Sequence, residues 1–268
     1  MDVKVDNIKP NIGAVVHADR EALRDEMFAR RCLQLLDERG VLVFPQIGLS
    51  DAEQLAFTDK LGARVNFTFS ANDVYTVTLD PKINNEPEYV LGTFFWHMDG
   101  LTQKIARPKA TVLSARRIAS KGGQTEFAST YAAYKHLPAE EKREIDNLRV
   151  VHSVVASLRE VATVEEIDPV RRGFSQEHPL VWTDPSGRKA LLVGYTADYV
   201  VGMSKPESRA LLARLLEWSA QPDFTYRHQW QVGDLVVWDN CGALHRVIPY
   251  DRESGRTMHR TSVAGVAA

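Results

Sequence analysis

WQVGDLVVWDNCGALHRVIPYD, residues 230–251, carries the reading of the fold. Gly233–Asp234 is turn chemistry, Leu235–Trp238 is an apolar strand, Asp239–Asn240 is a second turn, and His245 falls on the strand that follows. Working outward, the same grammar recurs from about Tyr75 onward. YTVTL, TVLSARRI, HPLVW, KALLV, FTYRHQW and RTSVAG are short β-rich runs, many separated by turn residues. Short strands crowded into the second two-thirds of a chain predict a mainly β protein with flanking helices, α+β in class. They point to a sandwich or jelly roll, not a parallel doubly wound sheet. Two helical stretches interrupt the strands, 129–147 and 204–220, the second with Ser204 as a cap and Pro206 near its first turn.

The N-terminal part has a different character. Leu23, Met27, Cys32, Leu35 and Leu36 recur at helical spacing and Gly40 stands at a C-cap, which predicts a helix over 21–40. Val41–Phe44 (VLVF) then reads as a short buried strand closed by Pro45. Ser50 starts a further helix, with Glu53 completing a capping box and Gly62 ending it. This helix–strand–helix unit reads as an N-terminal elaboration on a single domain, residues 1–268.

Composition excludes several classes. The 268 residues are 44% hydrophobic and 25% charged, the balance of a folded soluble protein. A net charge of −2 offers no basic footprint for nucleic acid; Arg116–Arg117 and Arg171–Arg172 read as solvated surface. Cys32 and Cys241 are too few for a disulfide framework. The first sixteen residues lack signal-peptide grammar, and no apolar run approaches the roughly 20 residues of a membrane span. A cytoplasmic protein without nucleic-acid or membrane partners is expected.

The chemistry concentrates in three places. FFWHMDG, residues 94–100, sets His97 and Asp99 two apart, so that on an extended segment both point to one side. Alone the pair is weak, since eight histidines give roughly one His-x-Asp by chance. His245 alone reads as a core histidine. Together they make two histidines and one carboxylate, a set that suits iron(II) and leaves three adjacent positions for a bidentate cosubstrate and O2. Cys241 and His259 are spare donors whose expected role is packing. Arg260 lies fifteen residues after His245 in the alternating stretch RTMHRTSV, and its fork of donors suits a carboxylate.

FFWHMDG, KGGQTEFAST, YRHQWQVGDLVVWDN with LHRVIPYD, and RTMHRTSVAG, in this order, resemble the taurine dioxygenase and dichlorophenoxyacetate dioxygenase family of iron(II)/2-oxoglutarate enzymes. The likeness runs from VLVFPQIGLS to MHRTSV. It implies a double-stranded β-helix, a cupin-like jelly roll, with His97, Asp99 and His245 on iron. It also implies Arg260 on the far carboxylate of 2-oxoglutarate and Thr125 as a second cosubstrate contact. Each turnover would release succinate and CO2 while an organic substrate is oxidised. Family members often form dimers or tetramers, so a homo-oligomer is expected.

The stretches around Tyr226–Asn240 and LRVVHSVVAS lean toward the herbicide-degrading branch. The expected substrate is therefore a small organic anion with an apolar body, such as an aryloxyalkanoate. Arg256, His152, Phe69 and Phe95 are the candidate substrate contacts, with Asn66, Phe67 and Tyr75 as weaker ones. Arg256 also reads as a solvent-facing residue of the turn at Gly255. A sulfonate or alkyl-sulfate dioxygenase keeps the chemistry with another substrate. A non-catalytic metal-binding jelly-roll sensor and a zinc hydrolase are the readings from other classes; the hydrolase leaves Arg260 and Thr125 without a purpose.

Overall fold

A computed structural model describes residues 3–65, 73–84, 87–104 and 107–265. Seven strands form the larger sheet, in the order Lys4–Asn7, Ala14–His17, Val41–Phe44, Leu235–Asp239, Ala110–Arg117, Thr257–Val263 and Tyr75–Val77. All neighbours are antiparallel except Ala14–His17 beside Val41–Phe44. Opposite it, Thr125–Ser129 lies between Thr225–His228 and Ala243–Val247. A further sheet has Arg149–Ser153 between Ala197–Val200 and Ser175–Pro179. This is the jelly roll expected from the sequence, mostly β with helices against it.

The sequence of the central strands explains the layering. In VLVF, Val41 and Val43 join Phe127, Val236, Trp238 and Met258 in the core between the sheets. Leu42 and Phe44 face the other way, among Phe28, Leu36 and Phe57 of the N-terminal helices. Alternate residues of a strand point to opposite faces, so a strand covered on both must be apolar throughout. Leu235–Trp238 obeys the same rule: Leu235 and Val237 meet the helices, Val236 and Trp238 the inter-sheet core. Val41–Phe44 is therefore an interior strand of the main sheet. Only its flanking helices, Glu26–Arg39 and Asp51–Leu61, are appended.

Other expectations shift in detail. The first helix begins at Glu26, capped by Asp25, whose side chain accepts from the Phe28 amide, and it ends at left-handed Gly40. Its buried stripe is Phe28, Ala29, Cys32, Leu35 and Leu36, which leaves Met27 exposed. The stretch 129–147 breaks into Thr130–His136 and Ala139–Ile145, because Pro138 has no N–H to donate and disfavours helix at the residue before it. The capping boxes Ser50/Glu53 and Ser204/Glu207 form as read. Among the described residues, no helix is long and apolar enough to cross a membrane.

Candidate active site

Two pieces of chain far apart in sequence meet through backbone alone. His97 and His245 pair as an isolated antiparallel bridge: the His97 amide donates to the His245 carbonyl at 3.0 Å, and the return bond is 2.9 Å. The bridge brings the two imidazoles together, tilted at 47° with centroids 4.1 Å apart, and Asp99, two residues on, joins them. One ligand atom from each of His97, Asp99 and His245 lies within 4.8 Å of the other two. His245 Nε2 and Asp99 Oδ2 are 3.9 Å apart.

Each side chain is tuned for a cation. His97 Nδ1 sits 2.8 Å from the Phe95 carbonyl, an arrangement that places the proton on Nδ1 and leaves Nε2 as the donor to a metal. Burial pushes the His97 imidazole down and, with His97 beside it, takes His245 to about 3, so both rings are neutral at physiological pH. Burial works against the Asp99 charge, but His245, Arg260, His97 and the Thr111 hydrogen bond outweigh it and hold the carboxyl below its ordinary range. Two neutral imidazoles and an ionised carboxylate fit iron(II). Cys241 is buried against Asp239, and His259 Nδ1 bonds Asp51 at 2.7 Å, so neither belongs to this group.

A cavity of about 370 Å3 opens onto His97 and Asp99. Arg260 lines it with its guanidinium over the Tyr75 ring at 4.9 Å and a nitrogen 3.8 Å from Asp99 Oδ1. It stands at the metal end of the site, whereas the resemblance implied a place at the far end of the cosubstrate. Arg256 is not in solvent: it is 1% exposed, among the largest fully buried side chains. Its Nε donates to the Gly123 carbonyl at 3.2 Å, its plane lies over Tyr250 at 4.9 Å, and both terminal nitrogens lack a hydrogen-bond partner among the described residues. Thr125, also buried, accepts from the Trp230 indole at 2.9 Å.

The remaining candidates fall elsewhere. Phe95 packs on Tyr195 with centroids 4.6 Å apart and faces an adjacent hollow, because its carbonyl, not its ring, turns toward His97. His152 is fully buried behind the cavity wall, its Nδ1 2.7 Å from the hydroxyl of Thr196, which does line the cavity. Phe69, Phe67 and Asn66 lie outside the described residues. Tyr75 does line the cavity. Sequence reading missed the wall supplied by residues 154–174, including Val154, Leu158, Arg171 and Phe174. No spacing rule marks them, since they come from short helices and loops.

A jelly roll holding two histidines and a carboxylate beside Arg260 defines a non-haem metal-dependent oxygenase. A family profile described as "Taurine catabolism dioxygenase TauD, TfdA family" matches residues 4–262, and the chain belongs to that family. The alpha-ketoglutarate-dependent 2,4-dichlorophenoxyacetate dioxygenase of Cupriavidus pinatubonensis is 36% identical over 91% of this chain and 90% of its own length. An alkylsulfatase of Acinetobacter baylyi is 30% identical over 86% of this chain and 74% of its own. The crystal structure of AAD-2 in complex with Mn(II) and N-oxalylglycine superposes with a TM-score of 0.86 at 33% identity, covering 100% of this chain and 99% of that one. The protein is a 2-oxoglutarate-dependent dioxygenase, using iron(II) and O2.

Proposed function

We propose that this dioxygenase oxidises a small organic carboxylate on an apolar body, of the aryloxyalkanoate class, releasing succinate and CO2. One observation carries the reading. The cavity carries His97, Asp99 and Arg260 at the metal end, and its lining adds the apolar Val90, Val154, Leu158 and Phe174 together with a second cation, Arg171. A substrate oxidised at the carbon beside its carboxylate must keep that carboxylate near the metal and its ring away from it. The cavity offers apolar wall for such a ring, and Arg260, 3.8 Å from Asp99, is the cation at the metal end. The relative from C. pinatubonensis acts, by its name, on such an aryloxyacetate.

His97, Asp99 and His245 would hold the iron, which when bound supplies O2 activation coupled to decarboxylation of 2-oxoglutarate. Arg256 and Thr125 would take the far carboxylate. Support for this comes from the two Arg256 terminal nitrogens, without a hydrogen-bond partner among the described residues, and from the Thr125 hydroxyl, which accepts from Trp230 and so keeps its own proton to give.

A matched pair of compounds tests the substrate class. With iron(II), ascorbate and 2-oxoglutarate, an aryloxyacetic acid should release succinate with the corresponding phenol, and its neutral amide should release far less. Equal succinate from acid and amide would refute it. The alkylsulfatase relative supports a second reading, an alkyl sulfate in the same cavity, for which sulfate release is the readout.

A further inference from the structure

The turn that delivers His245 also reaches Asp99 through side-chain hydrogen bonds. Asn240 stands in that turn, five residues before His245, its backbone N–H bonded to the Lys109 carbonyl at 3.0 Å. Its amide Nδ2 lies 2.8 Å from the Thr111 hydroxyl, and that hydroxyl lies 2.9 Å from Asp99 Oδ2. Asn240 and Thr111 are fully buried and Asp99 nearly so, which keeps the chain of bonds out of water. Thr111 is itself locked in the middle of the main sheet, in register with Trp238 on one side and Ser262 on the other.

The direction of these bonds follows from the atoms available. A threonine hydroxyl has one proton and accepts through its lone pairs. An amide nitrogen can only donate, so Thr111 accepts from Asn240 and its single proton goes to Asp99. One carboxylate oxygen is thereby held by Thr111, while the other faces Arg260 at 3.8 Å. We propose that Asn240 and Thr111 are positioning residues that fix the rotation of the Asp99 carboxylate, and so the affinity and ligand field of the metal site. The proposal rests on His97, Asp99 and His245 being the ligands and is independent of the organic substrate.

Metal affinity of the full-length protein, freed of metal and titrated anaerobically with Co(II), tests it. Groups that orient metal ligands typically change affinity by about 10–100-fold when removed. Thr111→Val, of nearly the same shape, should weaken Co(II) binding about tenfold and shift the visible absorption of the bound ion. Thr111→Ser, which keeps the hydroxyl, should restore both to within about threefold of the parent. Asn240→Leu should weaken binding alone yet add little in the Thr111→Val background, because the two act in series. Asp99→Ala serves as the control. If it retains Co(II) affinity, the ligand assignment itself fails. If it loses affinity while Thr111→Val matches the parent in affinity and spectrum, the relay is wrong, as it also is if the two substitutions simply add. Should Thr111→Val not fold, Asn240→Leu and Thr111→Ser decide alone: an Asn240→Leu protein with parental affinity and spectrum overturns the proposal.

Discussion

Arg256 and Arg260 are four residues apart, so on an extended chain they point to the same side about 13 Å from each other. That spacing is why the sequence could not rank them: both alternate inward, both are forks suited to a carboxylate, and only the fold separates their environments. Arg260 meets Asp99; Arg256 ends in two nitrogens with no partner among the described residues. Burying a cation without an anion is costly, and the expected compensation is a ligand carboxylate. Arg256→Met should therefore weaken 2-oxoglutarate binding by tens of fold or more, in line with the roughly 2–5 kcal/mol lost when a buried charge pair is broken. Thr125→Ala should cost about 1 kcal/mol, a single hydrogen bond. Arg260→Met should weaken 2-oxoglutarate less than Arg256→Met. Anaerobic calorimetry on the Co(II)-loaded protein measures all three, and a larger loss at Arg260 would reverse the assignment. Residue types and spacing singled out His97, Asp99 and His245 as a set, and the fold brings their ligand atoms together. The relay through Thr111 and Asn240 was not, because a threonine in an apolar strand carries no local mark of what it touches.

At the scale of elements, the loop entering strand Thr125–Ser129 is what brings Thr125 and Arg256 to one region. Gly122 and Gly123 both adopt left-handed backbone, φ +74° and +77°. The Gly123 amide donates to the Ile248 carbonyl at 2.9 Å, and its own carbonyl accepts from Arg256. A Cβ at Gly122 would stand 2.0 Å from the Pro249 carbonyl oxygen, closer than any side chain tolerates. Gly122→Ala should thus combine backbone strain with displacement of the 248–250 segment, losing about 2 kcal/mol or more of stability and weakening 2-oxoglutarate binding as well. Urea denaturation alongside the binding titration checks this; a protein of parental stability would show that the loop shifts freely. Elements with strong periodicity or caps, such as Leu235–Asp239 and Lys205–Ser219, were readable because each carries its own signal. Strands Lys4–Asn7, Thr125–Ser129 and Arg149–Ser153 are short and mix polar with apolar residues; they are strands because of the partners they pair with.

For the molecule as a whole, the most consequential buried histidine outside the metal site is His152. It lies on strand Arg149–Ser153, opposite Gln176 and Ala197, with no solvent exposure. Burial, with His178 edge-on at 5.6 Å and Arg107 nearby, pushes its imidazole down to about 3. Its Nδ1, bonded to the Thr196 hydroxyl, ties the sheet to the cavity wall. The folded state therefore keeps His152 neutral where the unfolded chain, titrating near 6.5, takes up a proton. Stability from this residue is fully present above pH 6.5 and is lost as pH falls from there toward 3, because only the unfolded state gains from protonation. Between pH 7 and pH 5 the loss is about 2 kcal/mol. Depressed carboxylates such as Asp234 and Glu126 push the same way at lower pH, so the slope of the parent alone does not isolate the histidine. A neutral replacement does. His152→Gln should be less stable than the parent at pH 7, from lost packing, but should lose about 2 kcal/mol less on going to pH 5. Urea midpoints of both proteins at the two pH values give the difference directly. Parallel losses would mean that the folded protein protonates His152 readily, and that the wall at Thr196 gives way to admit the charge.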